Sequence, residues 1–102
     1  LFITVCKIAI FEEPFPVPIG APFEVRGRNT SAWSLLIEWE FDPNVRLVLG
    51  VLLGFHVHYL NINDSHALWN FKTVRDPLAR QTTLTGLEEY RDYNITVTAF
   101  RS

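Results

Sequence analysis

Alternation of apolar and polar residues with a period of two is the feature that most constrains how this chain can fold. It is clearest in LIEWEF at 36–41, FHVHYL at 55–60 and YNITVTAF at 93–100. Successive side chains of a β-strand point to opposite faces, so each stretch predicts a strand with one buried face. Turn-forming segments such as FDPN, NINDS and LTG separate these stretches. No stretch of the sequence has a convincing helical period. The pattern predicts an all-β sandwich of short strands.

Composition narrows the classes of function. The 102 residues are enough for one domain, and 48% of them are apolar, which is typical of a globular chain. The net charge is -2 with no basic run, so the basic patch that nucleic-acid binding requires is missing. The single cysteine, Cys6, excludes an internal disulfide framework and a cysteine-based zinc site.

The most apolar stretch, VRLVLGVLLGFHVHYL at 45–60, has no polar side chain between Arg46 and His56. A membrane-spanning helix needs about 20 apolar residues, and this run is about half as long and contains two glycines. We therefore expect no membrane anchor here. The first residues lack the basic leader of a signal peptide. Without an anchor or a leader, we expect a soluble piece, and the absence of an initiator methionine leads us to expect that it comes from a longer protein.

Five motifs, in order along the chain, resemble those of a fibronectin type III domain. PIGAPFEV at 18–25 resembles the proline-flanked start, and SAWSLLIEWEFDP at 31–43 places Trp39 where that family has its core tryptophan. GFHVHYL at 54–60 resembles the family's third strand, and Trp69 falls where a following strand often carries a tryptophan. In LTGLEEYRDYNITVTAF at 84–100, Leu87 and Tyr93 lie six residues apart, and this spacing resembles the family's tyrosine corner.

The resemblance implies an immunoglobulin-like β-sandwich of the fibronectin type III type, with strands A to F within 23–102 and the final strand G missing. Trp33, on the parity of Trp39, is expected at the edge of the core, and Gly54 and Gly86 in turn roles. The predicted core comprises Leu35, Ile37, Trp39, Phe55, Val57, Tyr59, Leu84, Leu87, Tyr93, Ile95 and Val97.

The first 22 residues are predicted to form two further segments. Residues 14–22 read as a proline-rich linker or lead-in. Residues 1–13 read as a strand remnant of a preceding repeat or as an edge-filling strand. Without strand G, strand F would expose unpaired backbone groups at a sheet edge. We hypothesise that residues 2–10 fill that edge, within one chain or in a strand-swapped homodimer; the alternative is a disordered or crystal-packed tail.

The loop predicted at 44–53, between the second and third strands, is unusually apolar, whereas loops are normally polar. One interpretation is that the third strand begins early and the loop folds over the open end of the sandwich. The other is an exposed apolar patch that contacts a neighbouring domain or partner. The partner-contact candidates are Val45, Leu47, Val48, Leu49, Val51, Leu52 and Leu53.

Three N-x-Ser/Thr acceptors point to N-glycosylation and an extracellular location. Asn29 is expected in the turn after the first strand, Asn63 in the turn after the third, and Asn94 on the outward parity of strand F. Ordinary use of asparagine in turns is the alternative reading.

We expect no catalytic, metal or cofactor site. His56 and His58 share one face of a strand, but no cysteine or carboxylate follows at a suitable spacing, so we interpret them as solvent-facing imidazoles. The acidic pairs at 12–13 and 88–89 look like solvated charge, and no nucleophile elbow or phosphate-binding glycine loop is present.

The predicted function is that of a noncatalytic extracellular spacer and protein-binding module from an animal cell-surface receptor or adhesion protein. The alternatives are an intracellular structural scaffold repeat and an accessory repeat of a secreted microbial enzyme.

Overall fold

A computed structural model describes residues 6–10, 22–42 and 51–101, the first of these ranges by its backbone alone. Strands and the turns between them account for the secondary structure of these residues, which include no helix. The strands are β1 (Cys6–Ile10), β2 (Phe23–Ser31), β3 (Ser34–Glu40), β4 (Leu52–Asn61), β5 (Asn70–Val74), β6 (Gln81–Leu84) and β7 (Arg91–Arg101).

The strands form two sheets, one with the order β1-β7-β4-β5 and the other with the order β2-β3-β6. Every pairing is antiparallel except that of β1 with β7. The alternation found in the sequence is present in β3, where Leu35, Ile37 and Trp39 are buried and the residues between them are partly exposed. The prediction of an all-β sandwich is confirmed.

The two sheets enclose one hydrophobic core. At its centre the Trp39 and Phe55 rings lie 5.2 Å apart between centroids, and Phe41 meets the Phe55 ring edge-on at 5.4 Å. Tyr59 differs from the prediction because it is half-buried and packs against the core from its margin. Phe41 was not in the predicted core, although it continues the inward parity of Trp39. Among the residues whose burial the structure describes, the buried hydrophobic set is Leu35, Ile37, Trp39, Phe41, Phe55, Val57, Leu84, Leu87, Tyr93, Ile95 and Val97.

β1 lies at the edge of the four-stranded sheet, next to β7. The two strands run parallel, with Cys6 opposite Arg91 and Ile8 opposite Tyr93, and the register shifts before Ile10. Residues 6–10 therefore pair with the edge of β7 within one chain. Of the predicted lead-in at 14–22, all but Pro22 lies outside the described residues, and whether 1–13 derive from a preceding repeat stays a prediction.

Gly54 is buried inside β4, not in a turn, and it permits a close approach between strands. A Cβ atom at Gly54 would lie 2.0 Å from the carbonyl oxygen of Val74 on β5. The predicted turn role of Gly54 is therefore wrong, because the strand begins at Leu52 and needs a residue without a side chain at this point. Gly86 does have a turn role, with φ of 69° between β6 and β7.

Within the described part of the chain, no helix has the length and apolar character needed to cross a bilayer.

Candidate interaction surfaces

The start of β4 carries the described part of the predicted partner-contact segment. Val51 is 68% exposed and Leu53 is 42% exposed, whereas Leu52 packs against the core. This alternation follows from strand geometry, because neighbouring side chains point to opposite faces. Leu52 therefore has a structural role, while Val51 and Leu53 face solvent. The remaining candidates, Val45, Leu47, Val48 and Leu49, lie outside the described residues.

A second group of exposed apolar side chains lies at the other end of the sandwich, where the β2–β3, β4–β5 and β6–β7 connections meet. We call Trp33, Ile62, Leu68 and Tyr90 the turn cluster, and each of them is at least 40% exposed. The predicted position of Trp33 at the edge of the core is wrong. Trp33 lies in the tight turn between β2 and β3, and this residue is 58% exposed.

Backbone and side-chain hydrogen bonds hold these connections together. The backbone N–H of Leu87 donates to the carbonyl of Trp33 (2.9 Å), and that of Ile62 donates to the carbonyl of Asp92 (2.9 Å). The backbone N–H of Glu88 donates to the Tyr93 hydroxyl (2.8 Å), which is the contact expected of a tyrosine corner. A cavity of about 350 Å³ opens beside this corner, with Tyr59, Leu68 and Tyr93 in its wall.

The outer face of the four-stranded sheet carries an aromatic and imidazole cluster. The His56 ring stacks on Phe100 with 4.4 Å between ring centroids, and it meets Phe71 edge-on at 5.5 Å. The His58 ring lies 5.9 Å from Phe71 and 6.0 Å from His56. Phe71 is 61% exposed, so this face presents an aromatic surface to solvent. The sequence alternation predicted the outward histidines but not their aromatic neighbours on β5 and β7.

Hydrogen bonds orient both imidazoles. His56 Nδ1 is 3.1 Å from the Thr73 hydroxyl, and His58 Nε2 is 3.1 Å from the Thr98 hydroxyl. Partial burial lowers the pKa of His58 below its usual value, and repulsion from the neighbouring His56 lowers the pKa further. Among the described residues, no three His, Cys, Asp or Glu side chains are grouped so that they could hold a metal ion.

A groove of about 260 Å³ runs along this outer face. It is lined by Trp69, His58, Thr96 and Thr98. Trp69 lies immediately before β5, and this lining residue is 48% exposed. The groove brings a residue of the β4–β5 connection next to the outward residues of β7.

The three glycosylation acceptors occupy different environments. Asn29 lies within β2 and not in a turn, opposite the core residue Leu35, and its amide oxygen is buried. Asn63 is exposed in the turn after β4, and its amide oxygen accepts a hydrogen bond from the backbone N–H of Asp92. Asn94 lies in β7 between the buried residues Tyr93 and Ile95, so its side chain lies on the outer face.

Comparisons with known proteins agree with this architecture. The family model described as "Fibronectin type III domain" matches residues 20–102. Protein sidekick homolog of Caenorhabditis elegans is 32% identical over 87 residues, which is 85% of this chain and 4% of that protein. Receptor-type tyrosine-protein phosphatase S of Gallus gallus is 34% identical over 88 residues, 83% of this chain and 5% of that protein. Protein sidekick-2 of Mus musculus is 33% identical over 84 residues, 82% of this chain and 4% of that protein.

The chain therefore spans only a small part of the length of each of these relatives. The family match covers most of this chain, and it includes β2 to β7 and the tyrosine corner. The chain belongs to the fibronectin type III domain family.

Proposed function

We propose that this chain is a noncatalytic extracellular module of a cell-surface receptor or adhesion protein, which spaces neighbouring repeats and binds protein partners. The observation that carries the proposal is the exposure of Val51 and Leu53 on either side of Leu52, which is partly buried and packs against the core. Contiguous exposed apolar side chains are typical of contact sites with other proteins. The chain between Arg46 and Gly50 adds three apolar residues to the same segment.

The relatives support the receptor part of the proposal. One of them is named as a receptor-type phosphatase, and this chain aligns with only 5% of it, which leaves room for catalytic activity elsewhere in such a protein. The charged side chains among the described residues are scattered over the surface. Glu88, for example, is paired with Arg91 at 3.4 Å on the surface. A fibronectin type III module of this kind supplies geometry and contact surface.

The spacer role draws support from the turn cluster. Trp33, Ile62, Leu68 and Tyr90 expose apolar surface at the end of the sandwich opposite the start of β4. A repeat with apolar contact residues at both ends can pack against a neighbour on each side, which fixes the distance between them. Exchange of residues 2–10 between two copies remains a further prediction, and β1 supports it only by pairing with an otherwise open edge of β7.

Site-specific photo-crosslinking in the full-length protein, displayed on cultured animal cells, tests this proposal. A photoreactive amino acid at Val51 or Leu53 should crosslink to a neighbouring repeat or a second protein, which mass spectrometry would identify. The control position is Gln81, an exposed polar residue on the edge strand β6. Equal crosslinking yields at Val51 and Gln81, or no crosslink from Val51 and Leu53, would contradict the proposal that the segment 45–53 contacts a partner.

A further inference from the structure

We infer that the groove beside Trp69 binds the first sugar of an N-linked glycan attached to Asn94 of the same chain. The inference rests on the extracellular location proposed above. It adds where the sugar lies on the fold, and it distinguishes Asn94 from the other two acceptors.

The acceptor motif and the groove are parts of one surface. Asn94 and Thr96 lie two residues apart on β7, so their side chains share the outer face about 7 Å apart. Thr96, whose hydroxyl makes Asn94 an acceptor, is itself one of the groove's lining residues. A sugar attached to Asn94 therefore has the groove beside its first ring.

The opposite wall of the groove is suited to a sugar ring. Asn94 pairs with Leu60 of β4, and β5 follows β4 in the sheet, so Trp69 lies about two strand spacings, roughly 10 Å, from β7. An aromatic ring has a negative face, which attracts the slightly positive C–H bonds of a pyranose. The partly exposed Trp69 ring gives the first N-acetylglucosamine such a surface.

The size and charge of the groove agree with a single neutral sugar. Its volume of about 260 Å³ lies just below the range of about 300–1,000 Å³ that is usual for sites of larger ligands. Its surface is mostly apolar, and the described residues that line it carry no carboxylate, ammonium or guanidinium group. A mostly apolar, uncharged lining suits the C–H face of a sugar ring.

The other acceptors lack this arrangement. The amide oxygen of Asn29 is buried opposite Leu35, so a glycan there would compete with packing of the core. Asn63 lies in an exposed turn and lines neither the groove nor the aromatic cluster. We therefore expect a glycan on Asn63 to extend into solvent without affecting Trp69.

The test uses the full chain secreted from animal cells that make high-mannose glycans. Endoglycosidase H would leave one N-acetylglucosamine on each occupied asparagine, and the Asn94→Gln variant would lack a glycan at this position while keeping Asn63. Both proteins would carry Trp33→Phe, so that Trp69 is the exposed tryptophan and Trp39 the buried one. Acrylamide quenching of tryptophan fluorescence then reports how accessible Trp69 is.

With the sugar on Asn94, quenching of the exposed tryptophan should fall about twofold, and the melting temperature should rise by about 3–5 °C. Trp69→Ala should abolish the rise in melting temperature, whereas Leu68→Ala, a matched change at an exposed neighbour, should leave it intact. The Asn63→Gln variant should behave as the parent in both measurements.

Three results would overturn the inference. The first is an occupied Asn94 whose sugar changes neither quenching nor melting temperature, which would leave the groove for a protein partner or a second copy. The second is a bare Asn94 with an occupied Asn63, which would retain the extracellular proposal while removing the glycan from the groove. The third is a secreted, folded chain with every acceptor bare, which would also remove the glycosylation argument for that location.

Discussion

Gly54→Ala gives the sharpest test of how the neighbouring strands β4 and β5 approach each other. The added Cβ would lie 2.0 Å from the Val74 carbonyl oxygen, whereas real Cβ atoms essentially never come within 3.0 Å of a neighbour. The obstacle is backbone, so no side-chain rotation relieves it. β5 must move away from β4 at the Phe55–Val74 pair, where the pairing of the two strands ends.

Three contributions determine how much Gly54→Ala changes the free energy of unfolding. Overpacking a close contact costs about 1–3 kcal/mol, and losing a ladder hydrogen bond costs about 1 kcal/mol more. Alanine recovers about 0.4–1 kcal/mol, because it has fewer unfolded conformations than glycine. The free energy of unfolding should therefore fall by about 2–3 kcal/mol, out of the roughly 5–15 kcal/mol typical of such a domain.

Urea unfolding followed by far-UV circular dichroism measures this change. With a slope of about 1–3 kcal/mol per molar urea, the midpoint should fall by roughly 0.7–3 M. Gly86 provides the control, because its φ of 69° demands a left-handed conformation but nothing lies within 4 Å of an added Cβ. Asparagine tolerates that conformation, so Gly86→Asn should be close to neutral while Gly54→Asn is as damaging as Gly54→Ala. A Gly54→Ala protein within about 0.5 kcal/mol of the parent would refute the close approach.

Three further changes probe the core, the corner and the outer face. Trp39→Ala should lower the free energy of unfolding by about 3–5 kcal/mol in the same urea titration, because the ring is fully buried against Phe55; a loss below about 1 kcal/mol would contradict that packing. Tyr93→Phe removes the acceptor of the Glu88 N–H and should cost about 1–2 kcal/mol, with faster amide exchange at residue 88 as the local sign. The lowered pKa of His58 means that the unfolded chain binds more protons below pH about 6.5, so acidification through that range should destabilise the fold. His58→Gln should flatten this part of the stability–pH curve, and an unchanged curve would exclude His58 as its source.

The fold was predictable because short-range patterns coincide with burial. In β3 and β7 the period of two assigns the inward residues, and the tyrosine corner is encoded by a local spacing between Leu87 and Tyr93. Phe41 could also have been found, because it follows Trp39 at the same period.

The interaction surfaces were less predictable because they depend on contacts between distant segments. The alternation that makes Trp39 inward also predicted an inward Trp33. The tight turn between β2 and β3 ends that alternation, so Trp33 is exposed to solvent. The groove joins Trp69 to Thr96, which are adjacent only after β4, β5 and β7 have paired. Likewise, the role of Gly54 depends on where β5 lies, and nothing in the local sequence distinguishes it from a turn glycine.

Glycan occupancy of the full-length protein from its native cells tests the central claim of an extracellular module most directly. Mass spectrometry of glycopeptides should find Asn63 and Asn94 occupied and Asn29 bare, because the amide oxygen of Asn29 is buried on the core side of β2. Bare asparagines at all three positions would contradict the extracellular assignment and favour an intracellular scaffold repeat built on the same sandwich.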